Sequence, residues 1–154
     1  MSKGIRRHGR ELALKILYSL PDHEGGSLDH VFADFWRNFR FHDDPLGEAD
    51  EERGELPPPQ SRQFAEGLVA GVSEQLERID RTIEEHSNNW ALDRMARVDL
   101  ALLRLATYEL LCARDVPPNV VINEAIEIGK RFGTKETPAF INGILDQVAR
   151  HVRA

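Results

Sequence analysis

The apolar residues of this 154-residue chain recur mainly at intervals of three and four positions. That spacing places them on one face of an α-helix, and no stretch shows the alternation of apolar and polar residues that favours a strand. The pattern therefore predicts an all-α fold. The first predicted helix runs from about Arg6 to Leu20, where Pro21 and then Gly25 and Gly26 end it.

Five more long helices and one short helix near Leu92 to Arg94 are predicted. Ser27 can cap the second helix. The apolar residues of this helix recur at steps of three and four positions: Leu28, Val31, Phe32, Phe35 and Phe39. The third begins near Ser61 and carries FAEGLVAGVSEQLERID. Its Gly67 and Gly71 lie one turn apart, which indicates a close helix crossing because glycine is otherwise unfavourable inside a helix.

The remaining three long helices fill the C-terminal half. WALDRMARVDLALLRLATYELL has leucines on more than one face, which predicts a central helix. NVVINEAIEIGKRF follows Pro117 and Pro118 and ends at Gly133. Thr137 with Pro138 can start the last helix. Its predicted buried side comprises Phe140, Ile141, Ile144, Leu145 and Val148.

The length and the linker composition indicate one domain with an inserted loop. A chain of 154 residues can bury one sizeable core, so residues 1–154 are predicted to form a single compact domain of about seven helices. The acidic tract at 42–59, which ends in three prolines, is predicted to be a solvated linker, with an acidic interaction segment as the alternative.

Motifs for catalysis, metals and cofactors are missing from the sequence. It contains no phosphate-binding glycine loop, no HExxH, no GxSxG and no Cys/His cluster at metal spacing. No enzyme activity, cofactor or metal is expected. The single cysteine, Cys112, lies in an apolar run and is predicted to be a buried thiol. Without a signal peptide or an apolar run long enough to cross a membrane, the sequence predicts a cytoplasmic protein with no membrane partner.

Charge distribution singles out the N-terminus. The net charge is −6, and residues 42–56 alone carry that amount. In contrast, four cations fall within about a third of the first helix's circumference, and they are Lys3, Arg6, Arg7 and Arg10. They are predicted to form one basic stripe that stays exposed to solvent while another face packs. Like charges repel at the positive end of a helix, so a nucleic-acid phosphate backbone would compensate them. The alternative is a solvated N-terminus paired with acidic groups of the same chain.

Several longer motifs resemble the NusB family of bacterial transcription antitermination factors. They are RRHGRELALKILY, EGLVAGV, NWALDRMARVDLALLRLATYELL and DVPPNVVINEAIEIGKRFGTKETPAFINGILDQVA, which together span nearly the full chain. The resemblance implies a fold of two packed helical bundles. It also implies binding of boxA RNA together with the small-subunit ribosomal protein NusE, recruitment of other Nus factors and RNA polymerase, and read-through in ribosomal RNA operons.

The resemblance also suggests which residues contact each partner. Lys3, Arg6, Arg7 and Arg10 match the family's arginine-rich start and would contact phosphates. Phe140 and Asn142 match the family's RNA-contacting segment, although Phe140 could equally belong to the core and Gly143 could serve a close helix crossing. Lys135, Glu136, Thr137, Pro138 and Ala139 depart from the family pattern there, so the basic contact expected beside Phe140 is missing.

The protein partner and the competing functions stay open at the level of sequence. Arg97 and Asp99 are the candidate contacts for the protein partner, with pairing inside the chain as the alternative. A helical interaction module without specific RNA binding, or a separate RNA-binding domain of the kind found in ribosomal RNA cytosine methyltransferases, are the competing functions. A homodimer is also left open, because the family contains both monomers and dimers.

Overall fold

The computed structural model describes residues 4–20, 27–39 and 56–153. These residues form seven α-helices and no strand, which confirms the all-α prediction. The helices are α1 (Ile5–Ser19), α2 (Leu28–Phe39), α3 (Pro59–Glu74), α4 (Leu76–Glu85), α5 (Arg97–Cys112), α6 (Pro118–Phe132) and α7 (Thr137–Val152), with the predicted short helix present as a 3₁₀ turn at Leu92–Arg94. Lys3 and residues 42–55 of the acidic tract lie outside the described residues.

The chain divides into two compact units, Met1–Ala70 and Gly71–Ala154. In the first unit, α1 buries Leu12 and Ile16 completely. Gly9 of α1 faces α3 so closely that a Cβ atom at this position would overlap the Phe64 ring. Helix α2 joins the same unit through Trp36, whose indole Nε1 donates a hydrogen bond to Glu66 Oε2 at 2.7 Å. The assignment of residues 1–154 to a single domain stays a prediction.

The predicted third helix is two helices, which corrects the sequence interpretation. Gln75 leaves helical geometry at φ −105° and ψ 19°, and α4 begins directly after it. No proline or glycine marks this break, so the periodic pattern runs through it. At the other end Pro59 opens α3, where a missing amide proton costs nothing because the first turn leaves its donors unpaired.

The two glycines of α3 differ in their surroundings. A Cβ at Gly71 would overlap the Tyr108 ring of α5, so the predicted close approach is confirmed there. Around Gly67 there is open space, and no crossing occurs at that position.

Burial raises the pKa of the Tyr108 phenol, with smaller contributions from Cys112, Glu74 and Glu109.

The second unit is built around α5, as its leucine-rich sequence predicts. Leu103 and Leu110 are completely buried, and α4, α6 and α7 all pack on this helix. Arg104 joins α5 to α4 through two parallel hydrogen bonds to the Asp80 carboxylate, each 2.9 Å long. The predicted burial of Cys112 is wrong, since the cysteine lies at the end of α5 and is exposed.

The carbonyl end of α5 is closed by a residue from the end of the chain. Arg153 donates hydrogen bonds to the carbonyl oxygens of Leu110 at 2.8 Å and of Glu109 and Ala113 at 3.2 Å. The Glu109 carbonyl also accepts from the Ala113 amide at 2.9 Å, and the Ala113 carbonyl accepts from the Val116 amide at 3.0 Å. The guanidinium adds a side-chain donor to these carbonyls and places positive charge at the negative helix end. The last turn of α7 is thereby fixed to the central helix of its unit.

Candidate nucleic-acid interface

The basic residues of α1 differ sharply in exposure. Arg6 is exposed and Arg7 is half-buried, whereas Arg10 is only 5% exposed. The prediction of one exposed stripe is therefore wrong at Arg10. Lys3, the fourth member of the predicted stripe, lies outside the described residues. The part of the stripe that a ligand can reach in the described chain is Arg6 with the outer part of Arg7.

One aromatic ring explains why Arg10 is buried. The guanidinium carbons of Arg6 and Arg10 lie 5.9 and 5.6 Å from the centroid of the Phe64 ring, one helical turn apart. Both distances suit cation–π attraction. Gly9 allows α1 to approach Phe64 closely, so the helix becomes buried at this turn. The Arg10 side chain is buried at the same turn. Arg10 thus serves packing, and Arg6 keeps its charge in solvent.

Phe140 lies at the surface of the second unit rather than in its core. Its ring is half-buried and meets the Trp90 ring edge to face, with the centroids 5.8 Å apart and the planes at 79°. Trp90 itself is 51% exposed. Phe140 is therefore not a fully buried core residue, and its contact with RNA stays a prediction.

Asn142 is exposed but does not share a face with Phe140. Two residues along an α-helix turn the side chain by about 200°, so the two residues point in nearly opposite directions from α7. The close crossing considered for Gly143 is absent, because a Cβ added there would meet no atom within 4 Å. The structure therefore brings Phe140 together with Trp90 and not with Asn142.

The start of α7 is held by Thr137, which is completely buried. Its hydroxyl donates to Asp99 Oδ1 at 2.6 Å and accepts from the Thr134 backbone amide at 3.0 Å. Gly133 is needed beside it, because a Cβ there would overlap the threonine side chain. Asp99 is thus paired within the chain, as the alternative to a partner contact proposed, while Arg97 is exposed.

Trp90 is the candidate residue that the sequence interpretation missed. It follows two consecutive asparagines with positive φ angles, Asn88 at 50° and Asn89 at 71°. Asparagine tolerates this left-handed region better than other residues with a side chain. The sequence SNNW is therefore a local signal for a tight turn that presents an aromatic ring.

Metal and membrane sites are absent from the part of the chain that the structure describes. No three His, Cys, Asp or Glu side chains in residues 4–20, 27–39 and 56–153 come together as metal ligands would. Within the same residues, no helix has the length and apolar character required to cross a membrane.

The fold and surface define a small all-helical binding protein with a cationic first helix and an exposed aromatic pair. A model of the NusB family matches residues 7–150. The transcription antitermination protein NusB of Syntrophotalea carbinolica is 59% identical over 153 residues, which cover 99% of this chain and 97% of that protein. The chain belongs to the NusB family, whose members are transcription antitermination proteins and not enzymes.

Solved structures give the same family. NusB of T. maritima superposes with a TM-score of 0.73 at 33% identity, over 97% of this chain and 93% of that one. A second similar structure is described as antitermination factors NusB and NusE in complex with dsRNA. It has a TM-score of 0.74 over 96% of this chain and 97% of that one, and its 22% identity supports the fold alone.

Proposed function

We propose that this protein is a transcription antitermination factor that binds boxA RNA together with NusE and promotes read-through in ribosomal RNA operons. The observation that carries the proposal is the match to antitermination proteins over residues 7–150, at 59% identity to one of them. The similar structure containing NusB, NusE and RNA adds a precedent for the ternary complex within this fold.

The proposed RNA contacts comprise the accessible cations of α1 and the start of α7. Lys3, Arg6 and Arg7 bind backbone phosphates, which position RNA without reading its sequence. The buried Arg10 guanidinium lies against the Phe64 ring and helps to hold α1 in place beneath these exposed cations. Phe140 and Asn142, which point from different sides of α7, supply contacts to unpaired bases.

The protein contact is proposed for the second unit. Arg97 is exposed at the start of α5 and is the proposed contact for NusE. Asp99, two residues further along, acts mainly by holding Thr137. Other Nus factors and RNA polymerase complete the proposed complex, which places the protein in the cytoplasm. A homodimer stays an open alternative.

A separate RNA-binding domain of a methyltransferase is less well supported. The matched relatives are named antitermination proteins, and the most similar of those reported is matched over 97% of its own length.

Read-through transcription in vitro tests the proposal. A template carries boxA or a scrambled boxA upstream of a terminator, and the reaction contains RNA polymerase, NusE and the remaining Nus factors. We expect the protein to raise read-through on the boxA template only. The double variant Arg6→Ala with Arg7→Ala should lose this effect, while Arg37→Ala, an exposed arginine on α2, should keep it. Equal read-through on both templates would contradict the proposal.

A further inference from the structure

Trp90 is a large aromatic side chain that the fold leaves half exposed. The other exposed large apolar side chains described in the second unit are Leu76 and Val120, which belong to α4 and α6. Trp90 instead follows the exposed polar residues Asn88 and Asn89. An exposed aromatic ring that follows two polar residues in the chain suits a flat ligand with polar edges better than an apolar protein surface.

The backbone around Trp90 is held in place rather than loosely attached. The Trp90 amide donates to the Ser87 carbonyl at 3.0 Å, and the Ser87 hydroxyl donates to the Trp90 carbonyl at 2.9 Å. Ser87 is 2% exposed, so this turn is anchored in the unit. Two non-glycine residues in the left-handed region make the turn costly. The fold thus maintains a strained turn that presents an indole ring to solvent.

The neighbouring turn of α7 places no side chain at position 143 beside the half-buried Phe140 ring. Residues three apart share a helix face, and helical side chains lean toward the N-terminus, so a side chain at 143 would lie over Phe140. Position 143 is glycine, although no packing atom lies within 4 Å of the place where its Cβ would be. Packing therefore does not require this glycine, and its absent side chain keeps the aromatic face open.

We infer that Trp90 and Phe140, with the open flank at Gly143, form a platform on which an unpaired RNA base stacks. The aromatic platform, as we name these three residues, deepens the proposed function and rests on its RNA binding, but not on its preference for boxA. The two rings meet edge to face at 79°, and the Trp90 side chain remains 51% exposed in this contact. Stacking on such rings accepts any base, so the platform adds affinity rather than sequence discrimination.

Charge around the platform agrees with stacking rather than phosphate binding. The exposed residues nearest in sequence carry both signs, with Arg94 and Lys135 balanced by Asp93 and Glu136. These four neighbours in sequence carry no excess of positive charge. Base stacking does not require such an excess, whereas phosphate binding does.

Equilibrium binding of a boxA-like RNA, with NusE present, tests the platform through matched variants. We expect Trp90→Ala to weaken binding about tenfold and Trp90→Phe to retain most of the affinity. Gly143→Met should weaken binding by covering Phe140, while Gly143→Ala should not. Val120→Ala removes a different exposed apolar side chain and should have no effect. Circular dichroism checks that every variant remains helical.

Tryptophan fluorescence tests the stacking contact directly. The chain has two tryptophans, and Trp36 is buried in the first unit. The RNA-dependent quenching that is present in the unmodified protein and lost in Trp90→Phe therefore reports on Trp90. A twelve-nucleotide oligouridylate and NusE without RNA are measured in parallel, to separate base stacking from boxA recognition and from protein contact.

Each outcome decides between the platform and the function. BoxA-specific binding that Trp90→Ala leaves unchanged would overturn the platform and leave the proposed function intact. Trp90 quenching by oligouridylate and boxA RNA alike, without preference for boxA, would support the platform and contradict the function. Binding of neither RNA would contradict both. If Trp90→Ala weakens the binding of NusE in the absence of RNA, and RNA does not quench Trp90 in the unmodified protein, Trp90 belongs to a protein contact. That result would overturn the inference.

Discussion

Arg6 and Arg10 approach the same Phe64 ring from successive turns of α1, but only Arg6 remains in solvent. We expect Arg10→Ala to lower the free energy of unfolding by about 1–3 kcal/mol, because it removes a buried charged group from its partners and leaves a space beside Phe64. Urea unfolding followed by circular dichroism measures this change.

Arg6→Ala is the matched control for Arg10→Ala, since both arginines lie over one ring at similar distances. The exposed Arg6 should change stability by less than about 0.5 kcal/mol. Equal losses in the two variants would show that exposure does not separate their roles.

Thr137 is the second residue whose role depends on burial. Thr137→Val keeps the shape but removes the hydroxyl that joins Asp99 to the Thr134 amide, and should cost about 1–3 kcal/mol of unfolding free energy. Asp99→Asn retains an oxygen that can accept from Thr137 and should cost less. Thermal or urea unfolding of the three proteins provides the comparison, and an unchanged Thr137→Val protein would contradict the account.

Residue types could be predicted from sequence more readily than their exposure. The angular spacing of the α1 arginines predicts a stripe. Spacing cannot show that Gly9 allows α1 to pack closely against Phe64, which lies 55 positions later in the sequence. Trp90 was missed for a similar reason, because its contact with Phe140 joins segments that are 50 residues apart. Contacts distant in sequence leave no local signal.

Helix ends were largely predictable because their signals are local. Ser27 caps α2 as expected, with its hydroxyl accepting from the His30 amide at 3.2 Å. Gly133 ends α6 as predicted, but at φ −97° it is not left-handed, and its requirement for glycine comes from Thr137 instead. The break at Gln75 could not be predicted, since no residue there disfavours a helix.

Helix α3 offers a paired test of how helices approach one another. Gly67→Ala should stabilise the protein by about 0.5–1 kcal/mol, because alanine favours the helix and meets only open space. Gly71→Ala should destabilise it, because the added methyl group would overlap the Tyr108 ring.

Urea unfolding of both alanine variants gives the comparison, with the unmodified protein as reference. Stabilisation by both substitutions would contradict the close approach of α3 and Tyr108. In that case the conformational preference of alanine alone would account for the data.

For the whole molecule, the net charge of −6 does not show that the first helix is cationic, which is the property that matters for RNA binding. Residues 42–56 carry charge equal to the net −6, so the overall value says nothing against a cationic first helix. Electrostatic effects act locally, over about 8 Å at physiological salt. Fold class and family were predictable because they depend on patterns repeated along the entire chain, whereas the accessible part of the interface depends on packing at a few positions.

Salt dependence measures how many phosphates the molecule neutralises. For single-stranded RNA the logarithm of the binding constant should fall with the logarithm of salt concentration, by about 0.7 per phosphate contact. Replacing Arg6 and Arg7 by alanine should therefore reduce the slope by about 1.4. Arg37→Ala should leave it unchanged, and a slope that responds equally to both variants would indicate a diffuse charge effect.

The central claim is that RNA binding by this protein depends on sequence and is strengthened by NusE. Fluorescence anisotropy of labelled boxA and scrambled RNAs, titrated with the protein in the presence and absence of NusE, measures both properties at once. The account predicts a preference for boxA that increases when NusE is added. Equal and weak binding of both RNAs, unchanged by NusE, would contradict it.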